Sequence, residues 1–170
     1  MGEKTGDTRL SGLFDVLIAG AGYVGLAIAV SLRHARPGLK VAVIDAAPEG
    51  VWERDGRASA IAAAAARMLR HLDCWDEIEP EAQPITEMII TDSRTSDPVR
   101  PVFLTFGGEA APGEPFAHMV MNRNLTGALR RRAGELGIEI VQGIAVEDFD
   151  VEPAAVTVLL ADGGSCRTRL

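Results

Sequence analysis

Positive charge is in short supply in this chain. Seventeen lysines and arginines stand against 24 aspartates and glutamates, a net charge of −7. That balance argues against a nucleic-acid surface, because phosphate recognition wants basic patches. The one dense basic cluster, Arg130-Arg131-Arg132, falls on a predicted helix, where adjacent side chains point in different directions; it reads as a solvated face. Long apolar runs are also missing, so no transmembrane helix is expected. The segment from Met1 to Ser11 is polar and has no apolar stretch of the kind a secretory signal needs. Only two cysteines occur, Cys74 and Cys166, far apart and without a C-x-x-C pair. A reduced, cytoplasmic setting is the simplest account. His34, His71 and His118 share no metal-ligand spacing with one another or with the cysteines, so they read as surface or boundary residues and no metal site is expected.

What remains is the composition of a globular protein, 47% hydrophobic and 24% charged over 170 residues. That length suits one domain with a sizeable core. Phe14 to Asp45 organises it. An apolar run, Phe14 to Ala19, has the composition of a buried strand and meets Gly20-Ala21-Gly22-Tyr23-Val24-Gly25, a full G-x-G-x-x-G. A helical segment follows, with Val24, Ile28 and Leu32 spaced at four, and Pro37-Gly38 breaks it. A second apolar run, Val41 to Ile44, ends on Asp45, 20 positions past the last glycine. Gly20 permits a tight turn, Gly22 lets the backbone approach a pyrophosphate, and Gly25 lets the helix pack on the strand. The helix start offers N–H groups and partial positive charge to a diphosphate. Asp45 would accept hydrogen bonds from a ribose diol, and its charge would repel a 2′-phosphate. Glycine spacing alone is weak; strand, helix, break, second strand and terminal acid in order make it specific.

Further along, Ala58 to Leu72 carries Ile61, Ala65, Met68, Leu69 and Leu72 at helical spacing and predicts an amphipathic helix with a small-residue face. Cys74 to Ile78 predicts a short helical turn. From Ile85 the period changes: Ile85–Thr91, Val102–Phe106 and Phe116–Met121 read as three strands with no helix between them, an antiparallel excursion. Helix character returns with Asn124 as N-cap and Leu125, Leu129, Ala133 and Leu136 on one face, until Gly137 stops it. Ile138 to Val141 is the expected third parallel strand. Ala145–Asp150, Val156–Leu160 and Cys166–Leu170 read as a meander with Asp162-Gly163-Gly164 as its last turn. The meander does not lead back into the parallel sheet, so the sequence is expected to be the front part of a longer protein.

These residues resemble the flavin-dependent aromatic hydroxylases, single-component FAD monooxygenases, and within them the ubiquinone-biosynthesis hydroxylase branch. The carriers are Asp15 to Gly25, Gly38 to Ala46, Arg57-Ala58-Ser59-Ala60-Ile61, Leu72 to Asp76, Ala82-Gln83-Pro84-Ile85 with Thr91-Asp92, and Met121-Asn122-Arg123-Asn124-Leu125. The resemblance implies an α/β fold: a Rossmann-like FAD-binding domain with a parallel sheet and antiparallel meander, plus part of a β-rich substrate region. Its implied division is a flexible tail at 1–13, the FAD-binding domain at 14–84 and 122–170 (incomplete at its C-terminal end), and the β excursion at 85–121. Gly20, Gly22 and Gly25 would hold the FAD pyrophosphate and Asp45 the adenosine ribose, with Tyr23, Val24 and Ala46 as neighbouring cofactor contacts. Arg57 would reach toward the flavin or its phosphate arm, with Arg54 and Arg57 both open to a plain surface role. Arg123 would contact the ribityl–diphosphate region, or else pair with a local carboxylate. Val146 would border adenine through its backbone.

The implied chemistry is NAD(P)H-driven hydroxylation by O₂ of an aromatic ring, in this branch a polyprenylated phenol or related quinone precursor. The cofactor does the hard chemistry, and no residue is nominated as catalytic. The tail of such a substrate would bring the enzyme to the inner face of a membrane as a peripheral protein, among other quinone-biosynthesis enzymes. The family's Asp-Gly and Gly-Asp motifs beyond the meander have no counterpart here; Asp162-Gly163 falls in the hairpin before them. Two rival readings follow: another FAD or NAD oxidoreductase, or a nucleotide-binding piece that is catalytically silent by itself.

Overall fold

The computed structural model describes residues 10–170. The tail expected at 1–13 lies outside the described residues as far as residue 9. After it, Leu10 is buried in a core and Leu13–Phe14 form a short strand in place of a flexible tail. The described chain is mixed α/β and divides into two compact units. One comprises the residues up to Gly56 together with Asn122–Leu170; the other is Arg57–Met121. The chain passes between the units after Gly56 and again before Asn122, where the sequence suggested an excursion over 85–121.

In the first unit a parallel sheet has the order Glu139–Gln142, Val41–Asp45, Val16–Ala19. Val41 to Ile44 is buried because it is the middle strand. Val16–Ala19, expected to be buried, is only half so, since it occupies the sheet's edge. Asp15 divides the apolar run: Phe14 belongs to a second sheet, pairing in parallel with Ser165–Thr168. That sheet continues antiparallel through Val156–Leu160 to Val146–Val151, which is the expected meander. Phe14, Ala42, Ile44, Val141, Val158, Leu160 and Cys166 form one core with Leu10.

The first crossover helix is Tyr23–Ala35. Its apolar residues at spacing four do not form the buried face. Val24 is 60% and Ile28 48% exposed, while Leu26, Ala29 and Val30 are sealed. The buried stripe is therefore Leu26, Ala29 and Val30, and the helix packs against both the strand Val41–Asp45 and the second helix, Asn122–Glu135. That helix starts two residues before the expected cap and buries Leu125, Leu129 and Ala133 as read. It stops at Gly137, whose φ of +66° is a left-handed conformation that favours glycine. Arg33 clamps this end, donating from Nε and Nη2 to the Leu136 carbonyl at 3.2 and 2.6 Å and from Nη1 to the Leu39 carbonyl at 2.9 Å.

The second unit corrects the alanine-rich helix. Ala58–Ala62 is a strand, paired antiparallel with Ala117–Met121, and the helix occupies only Ala63–His71. Alanine favours a helix by about 0.5–1 kcal/mol per residue over weaker formers, yet a ladder along five residues overrides it. Gln83–Ile85 lies on the other side of Ala117–Met121. Trp75–Ile78 is the expected short helical turn. The run from Ile85 splits, and Glu87–Thr91 pairs instead with Val102–Gly107 in a hairpin exposed along both strands. Glu109–Ala111 and Glu114–Pro115 add a smaller one. His118, read as surface or boundary, is only 6% exposed and packs edge-on to the buried Trp75 with ring centroids 5.1 Å apart. Among the described residues, no helix is long and apolar enough to cross a membrane.

Candidate cofactor site

The glycine loop leaves the carboxyl end of Val16–Ala19 and enters the helix at Tyr23. Gly20 turns the chain with φ +108°, a backbone that side chains other than glycine's rarely tolerate. Its N–H donates to the Ile44 carbonyl at 2.7 Å, which ties the loop to the central strand. A Cβ at Gly25 would lie 2.1 Å from the Gly20 carbonyl oxygen, so the helix can pass this close to the loop only without a side chain there. A Cβ at Gly22 would meet nothing within 4 Å. Gly22 is the N-cap, no side chain caps the helix, and its first turn has no acid. The helix start is therefore open and positive in sign, as an anion requires.

Asp45 stands at the end of Val41–Asp45, and its carboxylate is built into the loop. One oxygen accepts from the Ala21 N–H, the other from the Ala47 N–H at 2.7 Å. A carboxylate has about four acceptor positions, so it keeps capacity for a ribose diol. The chain following Glu139–Gln142 is fastened to the same place. Gly143 N–H donates to the Ala47 carbonyl at 3.1 Å and Ile144 N–H to the Asp45 carbonyl at 3.2 Å. Val146, two residues on, begins the next strand and packs against the core. Ala46 is exposed beside Asp45.

The two arginines stand differently. Arg123 is exposed in the first turn of Asn122–Glu135, within the same unit as the loop. Arg57 is exposed at the start of the second unit. Among the described residues, no group of three or more His, Cys, Asp or Glu is arranged to hold a metal.

Two residues that the sequence did not single out, Gln142 and Trp52, join Arg130 of the basic cluster in a chain of contacts that ends beside Asp45. Gln142 is its register partner across the parallel pair. Arg130 Nη1 donates to Gln142 Oε1 at 3.0 Å, and the guanidinium sits 5.5 Å from the Trp52 ring centroid. Trp52 in turn lies against Gly127, where a Cβ would come within 3.3 Å of the ring. The arginine cluster is therefore not one solvated face. Arg131 and Arg132 pair with Glu135 at 2.6 and 3.0 Å, while Arg130 is half-buried. Burial depresses the Arg130 proton affinity, and the charges of Asp45 and Glu49 work against that depression. Glu49 and Gln142 also border a cavity of about 340 Å³ alongside Glu139–Gln142.

A glycine loop from strand end to open helix start, with an acid at the next strand's end, defines a Rossmann-like dinucleotide-binding protein. Residues 15–106 match the family model of the FAD dependent oxidoreductases, and the chain belongs to that family. It is 36% identical over 160 residues to the ubiquinone hydroxylase UbiL of Rhodospirillum rubrum, an alignment covering 92% of this chain and 35% of that protein. The chain thus spans about a third of the length of this curated relative. Among solved structures it is similar to the flavin-dependent monooxygenase PieE in complex with FAD and substrate (TM-score 0.68, 18% identity, 94% of this chain and 29% of that one). It is also similar to the Diels-Alderase PyrE3 of pyrroindomycin biosynthesis (TM-score 0.69, 21% identity, 93% and 31%). Likeness at these identities speaks for the fold. The residues present fit FAD: the backbone at Gly22 is open, the helix start has no side-chain cap, and the Asp45 carboxylate is fixed beside the loop with acceptor capacity to spare.

Proposed function

We propose that this chain is the FAD-binding part of a monooxygenase that hydroxylates an aromatic ring, a polyprenylated phenol or related precursor in ubiquinone biosynthesis, with NAD(P)H and O₂ as co-substrates. The observation that carries the reading is the 36% identity to a ubiquinone hydroxylase along 92% of the chain. When bound, FAD would supply the redox chemistry and the activation of oxygen. The residues of this chain bind and orient. Gly20, Gly22 and the N–H groups at the start of Tyr23–Ala35 would receive the diphosphate, with Tyr23, Val24 and Gly25 forming the first turn behind it. Asp45 would accept the ribose hydroxyls, flanked by Ala46 and by the Val146 segment. Arg123 and Arg57 would serve the phosphate and flavin arms. The aromatic substrate would be handled by the region that includes Glu87–Gly107, and a polyprenyl tail would keep the protein at a membrane surface.

Expression of the full reading frame, an absorption spectrum of the purified protein, and NAD(P)H oxidation with candidate phenols test this. A flavin spectrum and a hydroxylated product are expected; a colourless protein that binds NAD in place of FAD would overturn the reading. The match of residues 15–106 to the FAD dependent oxidoreductases as a whole supports a second reading, another FAD oxidoreductase that does not hydroxylate. Bound flavin with no oxygen gained by any phenol would support it.

A further inference from the structure

We infer that Gln142 is a second ligand of the cofactor's adenosine end, and that Arg130 is the positioning residue fixing which end of its amide is offered. The inference rests on the dinucleotide reading of the site. Register places Gln142 directly beside Asp45, at the carboxyl ends of parallel strands, where open α/β sheets receive their ligands. Arg130 reaches it from the helix Asn122–Glu135 and donates to its Oε1 at 3.0 Å. A guanidinium has donors and no acceptor, so the amide can meet it only through oxygen. The Gln142 NH₂ group is therefore committed to the other sense. It supplies two donors where Asp45 supplies only acceptors. Adenosine needs both: ribose hydroxyls that donate to a carboxylate, and ring nitrogens and hydroxyl oxygens that accept.

Arg130 is held firmly enough to set this orientation. Its guanidinium lies 5.5 Å from the Trp52 ring centroid, and the side chain is half-buried. Trp52 is itself seated on Gly127, one turn earlier on the same helix. An arginine stacked and anchored in this way loses little further freedom on fixing a neighbour.

The test uses the intact protein and titration calorimetry with FAD and with ADP. Gln142→Glu keeps an acceptor for Arg130 but has no donor. Gln142→Met removes both without adding charge. Both variants are expected to bind FAD and ADP about tenfold more weakly, the scale of one hydrogen bond lost to a ligand. Arg130→Met is expected to weaken binding about threefold. The Arg130→Met/Gln142→Met double variant should be no weaker than Gln142→Met alone, because a residue acting through another adds nothing once that other is gone. The apo thermal midpoint of Gln142→Glu should stay at the wild-type value, since Arg130 keeps its partner. Wild-type affinity in Gln142→Met overturns the inference, whether or not Gln142→Glu is weakened by repulsion from the diphosphate. Additive losses in the double variant overturn the role of Arg130. A wild-type protein that binds neither FAD nor ADP overturns the dinucleotide reading itself, and the inference falls with it.

Discussion

The Asp45 carboxylate accepts a hydrogen bond from the backbone N–H of Ala21, 24 residues earlier, inside the glycine loop. The acid expected to read a ribose thus also holds the shape of the glycine loop. Asp45→Asn should therefore damage both. An amide has one acceptor oxygen for the two N–H groups of Ala21 and Ala47, and its NH₂ would face one of them. A loss of roughly 1–3 kcal/mol in stability is expected, the cost of a buried donor left unpaired. FAD affinity should fall at least tenfold. Thermal unfolding and flavin titration measure the two effects; unchanged stability would show that the Ala21 contact holds nothing.

Gly25→Ala tests the close approach of helix to loop. Its Cβ would sit 2.1 Å from a backbone oxygen, which cannot rotate away. The loop or the helix must shift, at roughly 1–3 kcal/mol. Gly22→Ala, which meets nothing within 4 Å, should leave the apo protein's stability near wild type and weaken FAD binding. Equal midpoints for the two variants would contradict this account.

Arg33→Ala should destabilise the protein by about 1–3 kcal/mol, because its bonds to the Leu136 and Leu39 carbonyls are charge-assisted and close a helix end. Arg33→Lys should recover only part of this, since an ammonium cannot span both sites with a planar fork. Chemical denaturation of the three proteins decides it.

Glu79 lies in the second unit with its carboxyl held below the ordinary carboxylate range. The Trp75 indole N–H contributes most, near enough to favour the anion though outside ordinary hydrogen-bond geometry. Arg70 comes next, 2.9 Å away. The folded state binds this proton more weakly than the unfolded chain does. The contribution is therefore complete at neutral pH and is lost as pH falls through the ordinary carboxylate range and below. Glu79 is exposed, so its worth is under about 1 kcal/mol. Thermal midpoints between pH 7 and 4 should fall less steeply for Glu79→Gln than for wild type.

Both cysteines are buried, and burial raises the Cys166 thiol above its usual range. Alkylation at neutral pH should label neither in the folded protein and both in denaturant, as mass spectrometry would show. Rapid native labelling of Cys166 would mean that its core opens.

Much of the first unit was legible because its signals are local. The glycine loop, the acid at Asp45, the stop at Gly137 and the turn at Asp162-Gly163 each depend on a few adjacent residues with special backbone needs. Less legible were features decided by distant partners. Ala58–Ala62 reads as helix until Ala117–Met121 pairs with it. The exposed Val24 and Ile28 look like core until packing buries the neighbouring stripe of Leu26, Ala29 and Val30 instead. His118 meets a tryptophan 43 positions earlier. Arg130 belongs to a charge run in the sequence, and only the fold brings it to Trp52 and Gln142.

The crossing points between the units have a kinetic meaning. Asn122 Nδ2 donates to Asp55 Oδ2 at 3.4 Å, so the first unit's chain leaves and re-enters at neighbouring positions. The inserted unit has its own ends paired, Met121 opposite Ala58. As an unstructured tether, those intervening residues would oppose reunion of the two halves by about 4 kcal/mol of closure entropy. Once folded, the insert presents its two exits side by side, so an insert that forms first should relieve most of that closure cost for the unit it interrupts.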